Sequence, residues 1–258
     1  MRTRALSRYR HKSKTDYYIR YGKRQWKDLF ASVRHFLEAN DLHGEKVLEV
    51  GCAAGGMYEI MARRYGRVDY TGIDISGAEI EHAKKSYPRA KFLVGNFLRN
   101  HFRAASFDTV CAFQVVNHQP QYRNFIAEMF RLARKRVIFT ARIQYVFPTV
   151  VDLDSSFVYY HGSGKRNYFI PFNFYELFNY LHVENLRAKK ISVYGYYTPL
   201  NSSAFVCVPR SQLVAAAFCI EKYGPRERVE RWGGRAEFAE RDWCEHDIRL
   251  PNLSMKGI

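Results

Sequence analysis

The stretch VLEVGCAAGGMYEIM, Val47 to Met61, passes from an apolar run through a turn of glycines and alanines into a segment with Met57, Ile60 and Met61 at helical spacing. A short apolar run closed by glycine reads as a buried strand, and the i, i+3, i+4 recurrence after it as a helix. Strand, glycine turn and helix in that order bring backbone N–H groups and a helix N-terminus to one point, where nucleotide-like ligands bind. Gly51, Ala53 and Gly56 fit a degenerate G-x-G-x-x-G. That pattern alone does not separate one ligand class from another.

The same alternation continues along the chain. Lys46–Val50 is the first expected strand, VDYTGID ending at Asp74 the second, KFLVG the third, FDTVCAF (Phe107 to Phe113) the fourth and KRVIFTA the fifth. Between them lie a helix over about 56–64, one opening on the capping pair Ser76 and Glu79 and stopping at Pro88, and one carrying Phe125, Ile126, Met129 and Phe130. Upstream, Trp26, Leu29, Phe30, Val33, Phe36 and Leu37 predict an amphipathic helix over 25–39. Downstream, Asn173 and Glu176 open a further helix, and KKISVYGYY and VAAAFCIEKY follow as two strands best paired antiparallel. The expected fold is α/β: a Rossmann-like, doubly wound, mostly parallel seven-stranded sheet with an antiparallel last strand and an insertion after strand 5. The expected divisions are a basic arm at 1–24, a domain at 25–223 with an aromatic insertion at 142–172, and a tail at 224–258.

Composition agrees with one sizeable core. The 258 residues are 47% hydrophobic and 16% aromatic, which excludes a disordered chain. The formal net charge of +16 is uneven: residues 1–27 carry ten Lys/Arg against Asp16, with Tyr9, Tyr17, Tyr18 and Tyr21 interleaved. Such an arm can grip phosphates and stack on bases, or serve as a solvated arm or lid. The five cysteines, Cys52, Cys111, Cys207, Cys219 and Cys244, are scattered without metal-ligand spacing, so no metal is expected and the thiols read as reduced. No apolar run approaches the roughly 20 residues of a membrane span, and no secretory h-region opens the chain. A cytoplasmic location is expected.

Glu49, two residues before the first glycine, discriminates between ligands. A carboxylate there repels a pyrophosphate and attracts a cation. A nicotinamide-dependent oxidoreductase on the same architecture is therefore disfavoured, and a ligand with an ammonium and a sulfonium, S-adenosylmethionine, suits the charge. Asp74, closing the second strand, is placed to accept hydrogen bonds from ribose hydroxyls, and Asn96, after the third, to meet an adenine edge.

VLEVGCAAGG, YTGIDIS, VGNF and FDTVCAFQVVNHQP together resemble the successive motifs of the class I S-adenosylmethionine-dependent methyltransferases. The resemblance covers residues 46–141 by motif and most of 25–223 by strand order. It implies Glu49, Gly51, Cys52, Ala53 and Gly55 around the methionine moiety, Asp74 on the ribose, and Ile75 and Phe97 flanking the adenine with Asn96 at its edge. Gln114 would lie beside the methionine end. Ala53 departs from the commonest glycine and Asn96 from a frequent Asp.

The acceptor is less legible. Methyl transfer to a hydroxyl needs alignment and removal of a proton. His118 in QVVNHQP is the candidate base, or alternatively a loop hydrogen-bonding residue, and His161 in the insertion is the second candidate. The (N/D)PP(Y/F) element used on flipped bases is absent after strand 4, and no cysteine follows a proline. These absences favour O-methylation of a small molecule or a sugar or glycan-type metabolite, with the insertion, including Tyr159, Tyr160, Arg166, Tyr168 and Phe169, over the acceptor or simply in the core. RNA, held by residues 1–27, is the alternative partner.

Overall fold

The computed structural model describes residues 25–159, 165–184, 188–197 and 204–223, together with the backbone of 236–238. The 1–24 arm, Tyr160, His161, Cys244 and most of the 224–258 tail lie outside the described residues.

Five parallel strands alternate with helices as the hydrophobic pattern requires. They are β1 (Lys46–Val50), β2 (Asp69–Asp74), β3 (Lys91–Val94), β4 (Phe107–Ala112) and β5 (Ala133–Gln144). The helices are α1 (Ala31–Ala39), α2 (Gly56–Tyr65), α3 (Gly77–Ser86), α4 (Tyr122–Leu132) and α5 (Phe174–Asn179). Short strands β6 (Phe157–Tyr159), β7 (Arg166–Tyr168) and β8 (Phe172–Asn173) precede β9 (Ala188–Tyr197), β10 (Ala204–Phe205), β11 (Val214–Lys222) and β12 (Ala236–Phe238).

The main sheet runs β12-β9-β11-β5-β4-β1-β2-β3, with β8 paired to the end of β5. Its strands are parallel except β11, which is antiparallel to both β5 and β9. Seven long strands thus form the expected doubly wound sheet, and β8 and β12 are short additions. Because β12 pairs with β9, residues 236–238 of the expected tail belong to the sheet.

Period-2 alternation divides the core between the two faces. Leu48, Val50, Val110, Val137 and Phe139 pack towards α4 and α5, against Phe125, Ile126, Met129, Phe174 and Leu177. Val47, Cys111 and Ile138 face Phe36, Leu37, Met57, Ile60, Met61 and Ile80 of α1, α2 and α3. At the edge where the parallel strands begin, Glu45 and Asp108 are neutralised by Arg136 (2.9 Å), Lys135 (3.0 Å) and Arg134 (2.5 Å).

Two expected boundaries are corrected. Residues 25–39 do not form one helix: a single 3-10 turn at Trp26–Asp28 gives way to extended Leu29 and Phe30 before α1 begins. Trp26, though only partly buried, packs on the same cluster as Val33, Phe36 and Leu37, so spacing alone does not register the break. Strand 5 continues past Ala141, because Arg142 and Ile143 pair with Ala215 and Val214 of β11. The segment outside the main sheet therefore begins after Gln144. Within it β6 and β7 form a hairpin, which β10 from the β9–β11 connection extends to a second, three-stranded sheet.

Candidate active site

The turn after β1 is built on left-handed backbone. Gly51, Ala53 and Gly55 have φ of 75°, 47° and 82°. A side chain at Gly51 would lie 2.4 Å from Cγ2 of Val115, which follows β4, so glycine here lets that loop close against the turn. Ala53 holds a left-handed conformation that strains any residue with a Cβ. Its N–H donates to Oδ2 of Asp74 (2.9 Å), while Oδ1 accepts from the N–H of Ser76 (2.9 Å). Asp74 thereby locks the turn onto the end of β2, and with the Ile75 N–H as a third donor its carboxylate keeps acceptor capacity for one more.

Glu49 does not stand open at the mouth of the turn. It lies on the α2 side of β1, 4% exposed, where its carboxylate accepts from the Tyr70 hydroxyl. The strand period puts it on the face of Val47, beneath the turn. Burial is the main cause of its pKa being raised to about 8, with the Asp74 charge adding to the effect and the Tyr70 bond opposing it. Glu79 is likewise pushed up to about 8, by burial and then by Asp74. Asp74 is raised too by burial, against the lowering effect of its backbone hydrogen bonds. The charges of all three carboxylates reach the buried thiol of Cys52, whose own pKa is pushed well up, chiefly by burial. Cys52 thus lies inside the wall of the turn, where Gly72 makes room for it: a Cβ there would sit 2.6 Å from Sγ.

The ends of β2 and β3 are joined by a bond from Gly95 N to Asp74 O (2.8 Å), bringing the partly exposed Ile75 and Asn96 to one edge. Asn96 Oδ1 accepts from Leu98 N (3.0 Å), capping a 3-10 turn. Phe97 points inward against Phe125, ring centroids 4.9 Å apart, and so supports this edge from within the core. Gln114, exposed and left-handed at φ 60°, is held by a bond from its N–H to Thr140 Oγ1 (2.6 Å).

His118 closes a 3-10 turn, Val116–His118, and is tied to the insertion. Its Nδ1 lies 2.6 Å from the carbonyl of Tyr168, an acceptor, which fixes the tautomer with the proton on Nδ1. Burial lowers its pKa below 6.5, so the ring is neutral at pH 7. Asn117 completes the attachment: Nδ2 donates to Ile170 O, Oδ1 accepts from Arg142 N (3.0 Å), and Asn117 O accepts from Ile170 N (2.9 Å). Among the described residues no cluster with metal-ligating composition occurs, and no helix is long and apolar enough to cross a membrane.

Reading along the sequence misses Tyr70, Thr140 and Asn117, each of which positions a candidate residue. Only cross-strand register or a long-range contact reveals them. His161, the second candidate base, lies outside the described residues, as does most of the arm on which the RNA reading rests.

A doubly wound sheet with a glycine turn after β1, acids at the ends of β1 and β2, and an antiparallel strand inserted beside β5 is the framework of the class I S-adenosylmethionine-dependent methyltransferases. Residues 47–136 match a family model described as a methyltransferase domain, in keeping with the resemblance to that superfamily. Two similar proteins are a phthiotriol/phenolphthiotriol dimycocerosates methyltransferase of Mycobacterium tuberculosis, 35% identical over 96 residues, and a 2-methyl-6-phytyl-1,4-hydroquinone methyltransferase of Synechocystis, 35% identical over 94 residues. The matches cover 36% of this chain and 36% of the first relative, and 35% of this chain and 29% of the second, so the chain spans about a third of the curated relatives it matches. Among solved structures, the fold is similar to that of the PH0226 protein of Pyrococcus horikoshii, with TM-score 0.55, 14% identity, and coverage of 81% of this chain and 99% of that one. A methyltransferase of Methanosarcina mazei gives TM-score 0.53 and 18% identity, with coverage of 76% and 99%.

Proposed function

We propose that the protein is an S-adenosylmethionine-dependent methyltransferase acting on a hydroxyl of a small-molecule or sugar-type acceptor, with His118 as the base. One contrast carries the cofactor reading. At the edge where the strands begin, Glu45 and Asp108 are paired with three basic side chains. At the ligand edge Glu49, Asp74 and Glu79 are buried around the glycine turn with no ion pair to a basic residue among the described residues. Buried charge is costly unless compensated, and a ligand bearing an ammonium and a sulfonium supplies the compensation that a pyrophosphate cannot.

The residues fit that ligand. The glycines admit its close approach, Asp74 keeps acceptor capacity for a ribose hydroxyl, and Ile75 and Asn96 would stand along the adenine side. Gln114 and the Glu49 charge would serve the methionine end. When bound, the cofactor supplies a methyl carbon made electrophilic by its sulfonium. The neutral, Nδ1-protonated imidazole of His118 has the tautomer to take an acceptor proton at Nε2. Its hydrogen bond to Tyr168 supports a role for the insertion beside the acceptor, and the small-molecule names of the relatives support that acceptor class.

We further propose that residues 25–223 form the functional domain and that cofactor binding does not require residues 1–24. Calorimetry with S-adenosylhomocysteine tests both points. Saturable binding is expected with the full chain and with a variant lacking the arm, and its absence from the full chain refutes the cofactor reading. His118→Ala should retain that binding while lowering methyl transfer to a hydroxylated acceptor by roughly 10²–10⁴-fold.

A further inference from the structure

Arg142 is a partly buried cation that the proposed chemistry leaves unused. It lies near the ligand-side end of β5, and its register partners are Ala215 of β11 and, through it, Tyr196 of β9. Residues directly opposite one another in antiparallel pairs share a face, so Arg142 and Tyr196 flank the small Ala215 side chain on the α1 face of the sheet. The guanidinium carbon is 5.6 Å from the centre of the Phe30 ring, just before α1. Nη1 is buried and has no hydrogen-bond partner among the described residues. Burial lowers the guanidinium pKa, and the only opposing influence is the Tyr196 hydroxyl. No carboxylate forms an ion pair with Arg142 among the described residues.

A second positive feature converges on the same point. Phe30, the residue before α1, provides no side-chain cap, and the first helical N–H, that of Ala31, bonds to the Tyr196 hydroxyl. Arg34, one turn into α1, adds its charge at the same hydroxyl. The unsatisfied Nη1, the aromatic floor of Phe30 and the positive end of α1 all lie at the end of the sheet that carries Gln114, whose N–H is held by Thr140, two residues before Arg142. A buried guanidinium N–H without an acceptor is unfavourable in the free protein and becomes favourable when an anion accepts from it.

We propose that Arg142, Tyr196 and the N-terminus of α1 form an anion site that takes the carboxylate or phosphate of a small molecule bound in the cleft. The site deepens the methyltransferase reading. The anionic group belongs either to the amino-acid end of the cofactor or to an acidic acceptor. A charged Nη1 beside the Tyr196 hydroxyl favours oxyanions over neutral groups, so the site discriminates between ligands by charge.

Two arms of one experiment separate the sources, using the full chain, Arg142→Met and Arg142→Lys. In the first, calorimetry compares S-adenosylhomocysteine with 5′-methylthioadenosine, which lacks the amino-acid portion. If the carboxylate is the cofactor's, Arg142→Met weakens S-adenosylhomocysteine at least tenfold, leaves methylthioadenosine unchanged, and Arg142→Lys recovers part of the loss. In the second, inorganic phosphate is added to protein saturated with S-adenosylhomocysteine. If the acid is the acceptor's, phosphate raises the Tm of the wild type more than that of Arg142→Met, and S-adenosylhomocysteine affinity is equal in the two. Equal cofactor affinity together with equal response to phosphate overturns the anion site. Should the wild type bind no S-adenosylhomocysteine, the cofactor reading fails by itself, and the phosphate comparison on the free protein still decides the role of Arg142. The Tm of each ligand-free variant verifies folding.

Discussion

Glu49 links a sequence position to a measurable proton. Its native pKa of about 8 stands above its ordinary value of 4.5, so between those values the folded protein holds a proton that the unfolded chain releases. Linkage then makes this group's contribution favour folding at low pH and lose that advantage as pH rises from about 4.5 to about 8. A cation bound over the turn reverses the shift. Binding of S-adenosylmethionine near pH 7 should therefore release protons, seen as a dependence of the calorimetric heat on the ionisation enthalpy of the buffer, and affinity should rise from about pH 6 to pH 8. Glu49→Gln should reduce the proton release, weaken the cofactor and raise the Tm of the ligand-free protein at pH 8. Unchanged proton release in that variant would assign the effect to Glu79 instead. The presence of this acid two residues before Gly51 was legible in the sequence. Its burial against Tyr70 was not, because that contact spans 21 residues and depends on the register of β1 with β2.

At the scale of elements, the 3-10 turn after β4 is the junction between the sheet and the segment that follows β5. Asn117 makes its contacts to Ile170 and Arg142 from a buried position, and leaving such partners unsatisfied costs about 1–3 kcal/mol each. Asn117→Ala is expected to lower stability in urea by roughly 2 kcal/mol and to reduce methyl transfer through displacement of His118, with S-adenosylhomocysteine affinity within about twofold of wild type. A parallel loss of cofactor affinity would show that the turn also supports the glycine loop through Val115. The hydrophobic periods disclosed the strands and helices here, and Asn173 caps α5 as its spacing with Glu176 requires. The extension of β5 to Gln144 and the second sheet β10-β6-β7 escaped that reading. Their pairing partners are distant in sequence, and aromatic residues suit a strand, a lid or a core equally well.

Across the whole molecule, the two edges of the sheet are electrostatic opposites. Neutralised acids clamp the starts of β1, β4 and β5, while the acids around the turn at the other end have no basic partner among the described residues. Arg136 bonds both Glu45 and Thr109, and removing one member of a buried pair costs roughly 3 kcal/mol. Arg136→Met should lower the unfolding free energy by about that amount, read from urea denaturation, without changing the affinity for S-adenosylhomocysteine, because the cluster lies at the edge away from the turn. A large loss of affinity would mean that the two edges are mechanically coupled.

The order of strands and helices, the glycine turn and the acids at successive strand ends were determined by the sequence itself, since they depend on local periodicity and on residue types that admit few conformations. The tertiary structure decided which charges remain uncompensated. It joined Tyr70 to Glu49 and Tyr168 to His118, and it left Arg142 beside Tyr196 with an Nη1 that has no partner among the described residues. Those outcomes depend on register and on contacts between segments far apart in the chain, where the energy of a charge is set by its neighbours in space rather than by its place in the sequence.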